Sequence, residues 1–157
     1  MHRNVKLRIL VGALVTFVLS IGPSAQAASG KCSLSKLAGT YGLTTTGSIP
    51  GIGPVAAVGL ITFDASGNIS GSQTRSLNGD IADETFTGTA TVNSDCTGTD
   101  TVSVFESGVL VRTSTLKLVY DDDGRSARAI FTSIVLPDGT TLASILTVDA
   151  RRVRQGD

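Results

Sequence analysis

The chain has 157 residues, 13 basic and 13 acidic side chains, one histidine, two cysteines and no tryptophan, a length that suits one domain. Balanced charge gives no basic face of the kind nucleic-acid binding requires. With a single histidine, few catalytic or metal-binding arrangements are open to it.

In chain order, residues 1–27 have the layout of an export signal. Arg3, Lys6 and Arg8 form a basic start, Ile9 to Ile21 is an apolar run, and Ala25-Gln26-Ala27 is a small-residue cleavage site. The run is shorter than the ~20 residues of a membrane-spanning helix. The expectation is therefore a secreted or periplasmic protein cut after Ala27, with no transmembrane segment in the mature chain. The signal carries three basic residues and no acidic one, so the remaining 130 residues bear ten basic against thirteen acidic groups, a formal charge of −3. His2 leaves with the signal. That removes Ser-His-Asp and Cys-His catalysis and histidine-ligated zinc, and no metal or cofactor is expected. Cys32 and Cys96 are an even pair in an exported chain, which predicts one disulfide between them.

Residues 28–38 form a lead-in with room for one helical turn near Ser33–Leu37. From Gly39 to Arg152 the pattern is strand and turn, and residues 153–157 are a tail. Turns are marked by Asp64-Ala65-Ser66-Gly67-Asn68, Asn78-Gly79-Asp80, Ser94-Asp95-Cys96, Glu106-Ser107-Gly108, Asp121-Asp122-Asp123-Gly124 and Pro137-Asp138-Gly139. Asn-Gly and Asp-Gly supply the positive φ of tight hairpins. The Thr-, Val-, Ile- and Leu-rich runs between them predict strands near 40–48, 55–63, 69–77, 81–92, 98–105, 109–120, 126–135 and 141–151. Short connections make neighbours antiparallel. The expected fold is all-β, an eight-stranded antiparallel up-and-down barrel, with a two-sheet β-sandwich as the alternative. Ser48–Pro54 (SIPGIGP) is the one connection that is apolar, and it is expected to be a loop capping a barrel end or a lid over an opening.

Alternation assigns an interior face. In the fourth strand Ala82, Phe86, Ala90 and Val92 share one side and Thr85, Thr87, Thr89 and Thr91 the other. In the sixth, Leu110, Leu116, Leu118 and Tyr120 share a side; in the eighth, Leu142, Leu146 and Val148 do. The seventh is ambiguous between Ile130/Ile134 and Phe131/Val135.

The same parity places Gln73, Arg75, Glu84 and Arg112 among the apolar set. A two-residue turn at Asn78-Gly79 puts Gln73 opposite Glu84 with Arg75 diagonal to it; a three-residue turn puts Arg75 opposite Asp83. Buried charges need partners, so this group is either an interior salt bridge that fixes register or a polar patch that orients a small ligand. Catalytic use would require Glu84 as acid or base, or Tyr41 or Tyr120 as proton donor. Asp121-Asp122-Asp123-Gly124 lacks the alternating ligand spacing of an EF-hand and is expected to be a solvated turn. Arg151-Arg152-Val153-Arg154 is expected to be a frayed strand end.

Gly39-Thr40-Tyr41-Gly42, Ala56 to Asp64 with Gly67-Asn68, Phe86-Thr87-Gly88-Thr89 and Thr91 to Thr99 resemble segments of a group of small exported bacterial proteins without an assigned activity. The layout is also loosely similar to the barrels of allene oxide cyclase, dirigent proteins and lipocalins. That resemblance implies binding, guiding or cyclising a small hydrophobic molecule, and brings no active-site motif with it. Three functions are thus in play: a barrel binding a small apolar or amphipathic molecule through Gln73, Arg75, Glu84 and Arg112, a cyclase or isomerase, and a structural or adhesive surface protein without a ligand, with an interaction patch around Ile49 and Ile52.

Overall fold

A computed structural model of the protein describes residues 31–153. The expected signal peptide, its cut after Ala27, the start of the lead-in and the last four residues lie outside the described residues. One helical turn, α1 (Leu34–Leu37), precedes eight strands: β1 (Gly39–Ile49), β2 (Gly53–Phe63), β3 (Asn68–Leu77), β4 (Asp80–Val92), β5 (Thr97–Glu106), β6 (Val109–Asp121), β7 (Ser126–Val135) and β8 (Ile145–Arg152). They follow one another around a closed antiparallel barrel, and β8 returns to pair with β1 from Tyr41↔Arg152 to Ser48↔Ile145. Closure removes the exposed sheet edges that a sandwich would keep, so the barrel holds and the sandwich does not.

The alternation that built the expectation is what places the side chains. Glu84, Phe86 and Ala90 of β4 are buried while Thr85, Thr87, Thr89 and Thr91 are exposed. The Asn78-Gly79 turn takes two residues, with positive φ at both, so Leu77 pairs with Asp80 and Gln73 with Glu84. This is the geometry that Asn-Gly favours between twisted strands. Farther along β3, Gly71 pairs with Phe86, whose ring occupies the space a side chain at Gly71 would need.

Two β-bulges break the period and correct the reading of the sixth and seventh strands. Val104 pairs with Arg112 but Phe105 with Leu110, so Val111 is the extra residue. Leu110 therefore falls on the outer side, 38% exposed, not inside with Leu116. Thr115 pairs with Ser133 but Leu116 with Phe131, leaving Thr132 extra. That single bulge resolves the ambiguous strand: Phe131 packs inward before it and Ile134 is buried after it, while Ile130 is exposed. A bulge inserts one residue and reverses parity beyond it.

Two connections also differ from expectation. Ser48 and Ile49 pair with Pro54 and Gly53, so most of SIPGIGP is strand and only a tight turn remains, closed by Ile52 N–H donating to Ile49 C=O. Ile49 is buried, which removes it from any surface patch. The long connection is instead 136–144, and β8 starts at Ile145, not 141. β7 stays paired to β8 only as far as Ile130↔Thr147, and beyond that β8 follows β1 while β7 follows β6. The strands splay, and Leu142 of the loop packs against the buried cluster of Ile49, Val55, Ile134 and Leu146.

The ends of the barrel are closed unequally. At one end α1 and the Cys32–Cys96 disulfide lie across the opening, with Leu37 buried against Leu118 and Tyr120. A crosslink spanning 64 residues constrains the unfolded chain by about 4 kcal/mol. Tyr41, fully buried, is the hub there. Its hydroxyl shares one proton between the carbonyls of Gly124, at 2.6 Å, and Leu37, at 3.0 Å, and accepts from Arg152 Nη2 at 2.8 Å. The Arg152 guanidinium also lies 5.1 Å from the Tyr41 ring centroid and donates to the carbonyls of Ala38 and Lys36. Arg152 is thus a clamp and not a frayed end. The turn Asp122–Gly124 supplies the Gly124 carbonyl, and Asp121 beside it pairs with Arg128.

Candidate ligand-binding site

β3, β4 and β6 bring the four sequence-predicted residues together in one layer across the barrel. Glu84, 2% exposed, is the centre. Arg112 grips it with two parallel hydrogen bonds, Nη1 to Oε1 at 2.6 Å and Nη2 to Oε2 at 2.7 Å. Arg75 Nε donates to Oε1 at 2.8 Å and Gln73 Nε2 to Oε2 at 2.8 Å. Such charge-assisted, bidentate bonds are the strong ones. Burial alone would raise the Glu84 carboxyl; the Arg112 hydrogen bonds and charge, with those of Gln73 and Arg75, outweigh it and hold the group below its ordinary range. With both oxygens doubly engaged and the proton held off, Glu84 is a fixed anion and has the wrong character for an acid or base near neutral pH.

Arg75 is less satisfied than Arg112. Its Nη2 reaches Glu106 and Asp80 only at 3.5 Å, and its buried Nη1 has no hydrogen-bond partner. This layer carries two guanidinium charges against one buried carboxylate, with Glu106 and Asp80 half-exposed and exposed beyond it.

The layer divides the interior. Toward the β1–β2 turn and the 136–144 loop lies a cavity of about 150 Å³, walled by aliphatic side chains including Ile49, Val55, Ile134, Leu142 and Leu146, and floored by Gln73, Arg75, Glu84 and Arg112. Ile52, which is exposed, and the half-exposed Glu106 also line it, so this cavity reaches solvent. Toward α1 lies a second chamber of about 80 Å³. None of its lining residues is exposed. The two meet at Thr45, Gln73, Arg112 and Phe131, which border both.

The second chamber adds Asp100 and Ser114, which the alternation does not single out, to Tyr120, which it does. Asp100 of β5 is 5% exposed, its Oδ1 has no hydrogen-bond partner, and burial pushes its carboxyl up to about 7. Ser114 of β6 is fully buried with its hydroxyl unpartnered. Tyr120 faces the same space, and burial, with the charge of Asp100 and the proximity of Tyr41, raises its phenol well above the ordinary value. The signal for Asp100 was present in the sequence: it shares parity with Val102 and Val104, both buried.

The fold has solved counterparts. The structure of a redesigned beta barrel, mFAP1, bound to DFHBI matches with a TM-score of 0.52 and 20% identity, over 76% of this chain and 98% of that one. EF1p2_mFAP2b bound to DFHBI matches with a TM-score of 0.59 and 14% identity, over 80% of this chain and all of that one. Rv2717c from M. tuberculosis aligns with a TM-score of 0.43, 16% identity, 77% of this chain and 95% of that one. No protein-family model matches the sequence, nor does any curated protein. At these identities the first two matches concern the barrel fold alone.

Proposed function

We propose that the protein is an exported binding barrel for a small apolar or amphipathic molecule, which enters through the open end and rests on the Glu84 layer. The observation that carries this reading is the open cavity itself: an apolar wall, access to solvent, and a floor in which Arg75 Nη1 is buried without a partner. A pocket of that kind fixes orientation with few polar groups while burial of apolar area supplies affinity. The Arg75 donor suits a ligand that presents a carbonyl, ether, hydroxyl or anionic oxygen where it lies against the layer. That similar barrels hold DFHBI supports the view that this architecture accommodates a guest. Export is part of the proposal: the disulfide suits an oxidising compartment, and no helix of the described residues is long and apolar enough to cross a membrane.

The cyclase or isomerase alternative built on Glu84 loses its acid or base to the same four hydrogen bonds that make the floor. Native mass spectrometry of the protein from its own host's periplasm or medium, followed by titration with anilinonaphthalene sulfonate, tests the binding reading. It predicts a releasable small-molecule adduct or saturable dye binding that weakens at least fivefold in Arg75→Met. A bare mass together with no saturable dye binding would defeat it.

A further inference from the structure

The second chamber has a chemistry of its own. Among the described residues there are six aromatic side chains, and five of them, Tyr41, Phe63, Phe86, Tyr120 and Phe131, line this one space; Phe105 alone does not. Into the same space the barrel places one buried carboxylate, Asp100, whose Oδ1 lacks any hydrogen-bond partner, beside the unpartnered hydroxyl of Ser114. We infer that this chamber takes the head of a small organic ammonium, its N–H donating to Asp100 and its cationic face lying against the aromatic rings.

Each part of that chemistry follows from the residues. An unpaired carboxylate out of water is costly, and a cation that also donates a hydrogen bond removes the cost most completely. Ring faces carry negative quadrupole potential and attract an ammonium, more so when it is desolvated. An anion is repelled by Asp100, and a neutral guest leaves its charge unbalanced. The volume, about 80 Å³, is several times the roughly 10–15 Å³ that holds one water, and about half of the ~150 Å³ that holds benzene. It therefore fits a head of a few heavy atoms, with the rest of the molecule passing the Thr45–Gln73–Arg112–Phe131 border into the open cavity. Arg112 does not oppose this strongly, because both its outer nitrogens are engaged on Glu84.

The inference rests on the binding reading and adds the head-group class. The charged and titratable groups facing the chamber are Asp100 from β5, Arg112 and Tyr120 from β6, and Tyr41 from β1; β4 presents only Phe86 to it, and β2, β3, β7 and β8 present no ionisable group. Of these, Asp100 is the one whose charge changes near neutrality, at about 7. Calorimetry and NMR shift mapping with benzylammonium, benzyl alcohol and benzoate at pH 8 test the assignment. Benzylammonium is expected to bind at least tenfold more tightly than benzyl alcohol, with benzoate weakest, and to move the resonances of Asp100, Ser114 and Tyr120. Its affinity should fall about tenfold per pH unit below 7, as the proton competes for the carboxylate. Asp100→Asn, checked for unchanged fold by its amide spectrum, should abolish the preference, and Phe86→Leu should reduce it severalfold. Equal binding of the alcohol and the ammonium, or ammonium shifts unaffected by Asp100→Asn, overturns the inference. If dye binding at the open cavity persists in that case, the broader reading stands; if the dye also fails to bind, both fall.

Discussion

Glu84 and Asp100 both point into the barrel and are almost equally hidden, 2% and 5% exposed, yet their surroundings drive them to opposite states. Glu84 sits between two arginines and a glutamine and is held ionised. Asp100 sits among aromatic and aliphatic side chains, has no partner at Oδ1, and is pushed up to about 7. Burial is common to both, so it does not decide ionisation by itself; the count of donors aimed at each oxygen does. The Glu84 layer therefore behaves as part of the scaffold, and the Asp100 chamber as a place where charge remains to be answered.

The sharpest way to break the comparison is to remove Glu84. Glu84→Leu leaves Arg75 and Arg112 buried without their counter-charge, and should cost roughly 3–5 kcal/mol in urea unfolding. Adding Arg112→Leu to that variant should restore part of the loss, since one uncompensated charge goes with it. A loss below about 1 kcal/mol in the single variant would mean that the layer is solvated and not structural.

Asp100→Asn should act in the other direction. The folded protein keeps the Asp100 proton up to about pH 7, whereas the unfolded chain releases it near 3.8. Between those values the folded state binds more protons, so the Asp100 contribution to stability falls as pH rises and then levels off above 7. Asparagine removes this penalty. The variant should gain up to about 4 kcal/mol at pH 8 and nothing below pH 4. A gain that did not change with pH would show that charge was not its source.

Gln73→Leu separates charge from hydrogen bonding in the Glu84 layer. It deletes one donor to a carboxylate that two arginines still hold, and should cost about 1.5–3 kcal/mol by equilibrium unfolding. The smallest effect is expected beside Glu84 on the same strand. Thr85 faces water, and Thr85→Val should change stability by less than ~0.5 kcal/mol, confirming that the sensitivity belongs to one face.

Much of this was legible in the sequence because a period of two is a simple rule and hairpin turns fix register. Asn78-Gly79 narrows the register to two choices, of which the two-residue turn puts Gln73 opposite Glu84, and parity carries Arg75 and Arg112 to the same face. What escaped had a physical reason in each case. The bulges at Val111 and Thr132 reverse parity with no glycine or proline at the site to announce them, so Leu110 went to the wrong side and β7 stayed ambiguous. The splay of β7 from β8 depends on both partner strands, so the strand-like Leu142 gives 141–144 a strand pattern that the fold does not use. Arg152 looked like a terminal charge because its partners, the carbonyls of Lys36 and Ala38 and the Tyr41 hydroxyl, are more than a hundred residues away. Asp100 was hidden by its neighbours: flanked by Thr99 and Thr101, it resembled part of a wet face, although its parity matched Val102 and Val104.

Carbon-13 detected titration of the side-chain carboxyls, recorded from pH 2 to 9 on the disulfide-bonded protein, measures Glu84 and Asp100 in one experiment. A Glu84 midpoint below the ordinary glutamate range together with an Asp100 midpoint near 7 is the predicted result. Midpoints for both near 4 would contradict the division of the barrel into an ion-paired layer and an unanswered chamber.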